Sequence, residues 1–130
     1  MIGYRATTEF DPQTVLRPEA RAARKWLGWV GALVRKIARQ SIHPAEGPSP
    51  AGTPPHTHKR ILPNAILYAV EMPYRRAVMG PAASKAGTVG GAHEHGGRYK
   101  DEEFAPRPFM GPALEQVEPK MSPMWADSIK

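Results

Sequence analysis

Histidines and carboxylates are the residues of this chain most able to do chemistry. His56-Thr57-His58 and His93-Glu94-His95 are both His-x-His, and His43 stands apart from them. In a strand, His93 and His95 would point to one face and could offer two imidazoles to a divalent ion. A complete site needs three or four ligands. Glu94 would point the other way, and the second pair sits in a proline-rich segment, so no metal site is expected. Ser41, Ser49 and Ser84 are candidate nucleophiles, yet none lies in a Gly-x-Ser-x-Gly turn. Glu94, Glu102 and Glu103 fall in a charged stretch with no sign of the desolvation that tunes a catalytic carboxylate. Gly87 to Gly91 lacks the Lys-Ser/Thr of a phosphate loop. The chain has no cysteine, which excludes disulfides and thiolate sites. These residues predict no enzyme, no catalytic set, no metal and no cofactor. What remains is the role of residues 90–116, where the His-Glu-His run meets a proline-studded stretch.

The elements that would hold these residues begin with one strong periodic segment. Asp11-Pro12 suits a helix start, and Pro18 argues for a short turn followed by a long helix. From Ala23 onward, Trp26, Val30, Leu33, Val34 and Ile37 share a face about 100° wide, the width of a core-facing stripe. Arg21, Arg24, Lys25, Arg35, Lys36 and Arg39 fall on the opposite face with no aromatic residue among them. That face can be a solvated surface, a contact for nucleic acid or for an acidic neighbour, or a membrane-surface helix. Gly28 and Gly31 weaken the helix by about 1 kcal/mol each and leave room for another backbone.

Residues 43–60 hold five prolines, which excludes a helix or central strand and predicts a long extended loop reaching a neighbouring subunit. The period then changes to two. Asn64–Glu71 and Arg75–Gly80, joined by Met72-Pro73-Tyr74, predict an antiparallel hairpin. A loop is expected over 82–88, a third strand over Val89–His95, and a second helix from Pro112 to about Val117. Pro119 and Pro123 should interrupt the chain beyond that helix, leaving an apolar tail that docks through Met121, Met124, Trp125 and Ile129.

Composition agrees with a small core carrying arms. Fifteen prolines and twelve glycines exceed a fifth of the 130 residues, and 41% of the chain is hydrophobic. One domain is expected over 1–130, with an N-terminal arm (1–10), the proline-rich loop (43–60) and a C-terminal tail (119–130). No apolar run approaches the ~20 residues of a membrane span, and the N-terminus lacks a signal peptide's apolar core. A soluble, cytoplasmically made protein without a membrane partner is the expectation. The net charge of +6 is uneven. Residues 1–60 hold ten Lys/Arg against four Asp/Glu, whereas 61–130 hold eight of each.

Four segments in fixed order carry a resemblance. They are Gly31-Ala-Leu-Val-Arg-Lys-Ile-Ala-Arg-Gln-Ser-Ile42, Ser49-Pro-Ala-Gly-Thr-Pro-Pro55, Val78-Met-Gly-Pro81, and Ala92-His-Glu-His-Gly-Gly97 followed by Ala105-Pro-Arg-Pro-Phe-Met-Gly-Pro-Ala-Leu114. Together, over about residues 10–125, they resemble the neck and tail-completion proteins of tailed bacteriophages, also called minor tail or virion-morphogenesis proteins. The chain departs from that pattern at Ala105-Pro106, where the order is inverted, and at His95, where the family often has phenylalanine.

The resemblance implies an α+β fold, with a long N-terminal amphipathic helix packed on a small, mostly antiparallel β-sheet and a C-terminal helix. It implies a structural virion protein at the head–tail junction, a cyclic homo-oligomer (hexamer or dodecamer). Its neighbours would be the head-connector or portal-adaptor protein and the tail-terminator or tail-tube protein, with DNA passing through the ring without specific binding. On this reading Arg107, Pro108, Phe109, Met110, Pro54, Pro55, His95 and Trp125 are the candidates for the subunit interface, and the basic helix face points outward or toward an acidic neighbour. Arg107-Pro108-Phe109 has a second, compatible reading as an intrachain corner that aims the last helix. The alternative function is a basic DNA-binding accessory protein of phage assembly.

Overall fold

The structure, a computed structural model, describes the backbone of residues 12–130 and the side chains of residues 17–130. The expected N-terminal arm and the Asp11 cap lie outside the described residues. Helix α1 spans Pro12–Ser41 and runs on through Pro18. A proline removes one bond of the ladder, but its φ is already helical, and the rest of a 30-residue ladder carries the helix past it. The buried stripe of α1 is Ala23, Leu27, Val30, Val34 and Ala38, leading to Ile42 just past its end. Trp26, Leu33 and Ile37 pack at its margins. Leu27 and Ala38 are not in the expected stripe, and they place its centre slightly to one side of the charge-free face.

Helix α2 (Ile61–Ala65) precedes strand β1 (Ile66–Glu71), so the strand starts two residues later than its apolar run suggests. Pro63 cannot donate to a sheet ladder, and Asn64 N–H instead closes a helical turn on Arg60 O at 3.0 Å. A single 3-10 turn, Met72–Tyr74, joins β1 to β2 (Arg76–Pro81). The two strands are antiparallel, in register from Ile66–Pro81 to Glu71–Arg76. Tyr68 lies over α1, where a Cβ on Gly31 would sit 2.7 Å from Tyr68 Cδ2. Gly31 therefore admits an aromatic ring, not the backbone expected.

Helix α3 (Ala83–Ala86) occupies part of the expected loop. Helix α4 (Val89–His95) replaces the expected third strand. A second two-stranded antiparallel sheet comes next, β3 (Gly97–Tyr99) with β4 (Glu102–Phe104). Its turn residues, Lys100 and Asp101, both have positive φ (50° and 65°). A turn of that shape is ordinarily written with Asn-Gly or Asp-Gly, so this hairpin carries no such signal. The sheet is thus two separate pairs of strands.

Helix α5 (Met110–Ser128) starts before Pro112 and continues through Pro119 and Pro123, so the expected tail is helical. Its packing against α1 holds it through the prolines. Ala113, Val117, Met121 and Met124 form a stripe on the shared core. The Trp26 indole stacks edge-on against Trp125 with centroids 5.7 Å apart and donates its Nε1–H to Met121 O at 2.9 Å. α1, α5, α2 and β1 enclose one core, in which Phe109, Ile42, Ile66, Val34 and Val117 are fully buried.

Candidate functional site

The site is a corner where three segments distant in sequence meet: the end of α4, residues 105–109 before α5, and the turn around Ser49. Helix α5 opens without a local cap. Phe109 stands at the cap position and the first turn has no acidic residue. A helix start leaves about four N–H groups without intrahelical partners, here those of Phe109, Met110 and Gly111, since Pro112 has none. Glu94 takes all three. Its Oε2 accepts from Phe109 N–H at 2.8 Å and Met110 N–H at 2.9 Å, and its Oε1 accepts from Gly111 N–H at 2.8 Å. A carboxylate also meets the positive end of the helix dipole there.

Glu94 reaches this position because α4 is a helix. Residues two apart on a helix lie some 200° apart, so His93 and His95 face opposite ways, one into the protein and one into solvent. Gly96, at φ 75°, ends the helix with a backbone angle that favours glycine. Gly90 packs so tightly on Pro81 that a Cβ would lie 2.6 Å from Pro81 Cγ. The His93 ring meets Phe104 edge-on at 5.2 Å. Its Nδ1 is buried without a hydrogen-bond partner among the described residues. Burial, and after it the Arg107 guanidinium, holds the imidazole below its ordinary value, which favours the neutral ring.

The corner is tied from both sides. Arg107 N–H donates to His93 O, and its Nε–H donates to Ser49 O at 2.8 Å. Gly52 N–H donates to Pro106 O at 2.8 Å. Within 43–60, Thr57 N–H bonds His43 O and Ala45 N–H bonds Thr57 O, forming an isolated parallel bridge. The segment thus folds back on its own chain through Ser49, Gly52 and Pro55.

Several expected interface residues are held inside the protomer. Phe109 is 1% exposed and Pro55 is fully buried, so neither offers a surface to a neighbour. Arg107 makes its best bond within the chain, and Trp125 packs on Trp26. Pro54, Pro108 and Met110 are half-buried, and His95 is exposed. Glu94 reads in sequence as one residue of a charged loop, and the structure gives it a specific role. The signal that points to that role is the missing cap at Phe109-Met110, which obliges some distant acceptor to serve.

Three of the four histidines in the His-x-His pairs meet at one groove, and His95 does not. His56, His58 and His93 line one groove of about 460 Å³ together with Ile61, Leu62, Val89 and Tyr99. Among the described residues, no three His, Asp or Glu side chains are grouped as a metal ion requires. Ser49 is buried and its Oγ has no partner among the described residues, while Glu102 and Glu103 are exposed on β4.

The basic face of α1 divides in two. Arg21, Arg24, Lys25 and Lys36 are exposed, and an aromatic does flank them, since Lys25 Nζ lies 4.9 Å from the ring centroid of Trp29. Arg35 turns toward the start of β1 and Arg39 toward α2. Arg35 Nε–H donates to Ile66 O at 2.8 Å and Arg39 Nη2 to Asn64 Oδ1 at 3.1 Å.

Among the described residues, no helix is long and apolar enough to cross a membrane. Comparison with protein-family profiles, with curated proteins and with solved structures gives no match to this chain.

Proposed function

We propose that the protein is a structural subunit of a phage neck, a cyclic homo-oligomer that joins the head connector to the tail and leaves a channel for DNA. The observation that carries this reading, beside the resemblance of the four segments, is the outer face of the β1–β2 hairpin, which no described residue covers. Leu67 and Val78 are 38% and 48% exposed on it, and Leu114 of α5 is 39% exposed nearby. An apolar depression of about 370 Å³ lies between Val34, Val78, Met79, Met110 and Leu114. A two-stranded sheet is marginal alone, and among the described residues each strand keeps one unpaired edge. Uncovered apolar surface beside open strand edges suits a repeating contact between copies.

With Phe109 and Pro55 inside the protomer, the subunit contact moves from the proline corner to this hairpin. The corner then serves the ring indirectly by fixing α5 against α1. The virion is the proposed location, with the portal adaptor and the tail terminator or tail tube as neighbours. The test is a reconstruction of the particle that carries this chain. The expected result is six or twelve copies in one ring at the neck, with hairpins at the subunit contacts. A neck built without this chain would overturn the proposal.

A further inference from the structure

We propose that Arg35, Lys36, Arg39 and Arg60 form a phosphate-binding cup that grips the backbone of duplex DNA without reading its sequence. The site stands on its own geometry and does not depend on the ring. The four cations, with Gln40, line a half-open depression of about 430 Å³. Among the described residues, no carboxylate pairs with any of them. Four uncompensated cations around one concavity repel one another, so a bound anion would relieve them.

Two of the four are already oriented. Arg35 Nε–H donates to Ile66 O and Arg39 Nη2–H to Asn64 Oδ1, and each bond orients its guanidinium group. Both leave N–H groups without a protein partner among the described residues. A fixed guanidinium fork matches the two oxygens of a phosphate. Arg60 adds an independent observation. It sits at φ 57° and ψ 22°, a left-handed conformation that an arginine adopts only under constraint. Thr57 Oγ1, accepting from Arg60 N–H at 3.0 Å, and Asn64 N–H, donating to Arg60 O at 3.0 Å, hold it there. Glycine would fit this turn without strain, yet the chain places a cation at the lip of the cup.

The lining also selects the kind of anion. It contains four cations and the neutral amide of Gln40, with no carboxylate and no large apolar side chain of the kind that anchors a protein partner. It contains no aromatic face on which an unpaired base could stack. Beyond the cup, Arg21, Arg24 and Lys25 continue the positive stripe toward the other end of α1. From Arg21 to Arg39 the stripe rises about 27 Å at 1.5 Å per residue. A long ligand with evenly spaced charge fits that stripe, and duplex DNA carries one phosphate per 3.4 Å of each strand.

The test uses the full chain and a fluorescently labelled duplex of random sequence, titrated by anisotropy at several salt concentrations between about 50 and 200 mM, where phosphate contacts are most legible. The site variant is Lys36→Gln with Arg60→Gly. Lys36 is exposed, and glycine relieves the strained φ, so the thermal midpoint should hold or rise. The control is Arg98→Gln with Lys120→Gln, two exposed residues of β3 and α5, which removes the same net charge. For the site variant the slope of log K against log salt should become shallower by about 1.8, since each lost phosphate contact removes about 0.9. Affinity should fall close to tenfold per contact at about 0.1 M salt. The control should keep the wild-type slope. Equal losses in both variants would show that only net charge matters and would overturn the site. Absence of binding by the wild type at about 50 mM salt, or poly-glutamate competing as well as unlabelled duplex, would overturn it too.

Discussion

Replacing Glu94 by alanine should release the start of α5, and its size can be worked from the bonds. Three N–H groups, on Phe109, Met110 and Gly111, lose their acceptor together. Losing a helix cap costs about 0.5–2 kcal/mol, and bonds to a charged acceptor are worth about 1.5–3 kcal/mol each. Water can reach part of this corner, because Glu94 is only half-buried, so the three bonds do not add in full. A loss of about 3 kcal/mol is expected, which for a chain of this size lowers the thermal midpoint by about 10 °C. Glu94→Gln should cost about half as much, because its single carbonyl oxygen can keep two of the donors while its amide repels the third. Urea unfolding at neutral pH, followed by tryptophan fluorescence, reads the effect directly, since Trp26 and Trp125 report the α1–α5 contact. Hydrogen exchange at Met110 and Gly111 should accelerate in the same variants. Glu115→Ala, an exposed site on the same helix, should stay within about 0.5 kcal/mol of wild type. A Glu94→Ala protein as stable as the Glu115→Ala control would refute the capping argument.

Three further outcomes are expected. Gly28→Ala, where a Cβ meets nothing within 4 Å, should stabilise the protein by about 1 kcal/mol in urea unfolding. Gly31→Ala should destabilise it by about 1–3 kcal/mol in the same assay, because its Cβ would press on the Tyr68 ring. His93 makes stability depend on pH with a definite sign. Its folded value is lowered below the ordinary 6.5, so the unfolded chain takes up the proton first. The stability is therefore complete above about pH 6.5 and declines as pH falls from there toward the folded value. His93→Phe should remove that part of the decline between about pH 7 and 5, which urea midpoints measured across the range would check.

Legibility tracks the length and purity of each pattern. The stripe of α1 repeats over many turns, so its burial can be read from Val30, Val34 and their neighbours. The hairpin can be read from the change to period two around Met72-Pro73-Tyr74. Short elements mislead. His93 and His95 alternate as strand residues do, but two side chains cannot define a period, and the need to bring Glu94 to Met110 decides for a helix. The prolines of α5 mislead because local propensity leaves out the packing partner. The Trp26 indole and the stripe from Ala113 to Met124 supply contacts between segments far apart in sequence. The β3–β4 hairpin stays hidden because Lys100 and Asp101 take a turn conformation that sequence normally marks with glycine.

The candidate interface residues show how a recognition motif and a joint can look alike in sequence. Arginine, proline and phenylalanine in succession suit a contact between subunits, because each is rigid or anchoring. The same properties suit a corner that must hold its shape, and here Phe109 enters the core while Arg107 binds Ser49 O. What the protomer leaves outside is divided by α1 itself. Val34 lines the apolar depression beside the hairpin, and its neighbours Arg35 and Lys36 line the basic cup. Consecutive residues thus serve two surfaces of opposite character. Copies that associate through the hairpin would repeat the cup once per subunit. Each cup alone makes a few phosphate contacts that salt readily breaks. Several cups on one assembly would hold one duplex by many weak contacts at once, which favours retention over a fixed grip at any one base pair.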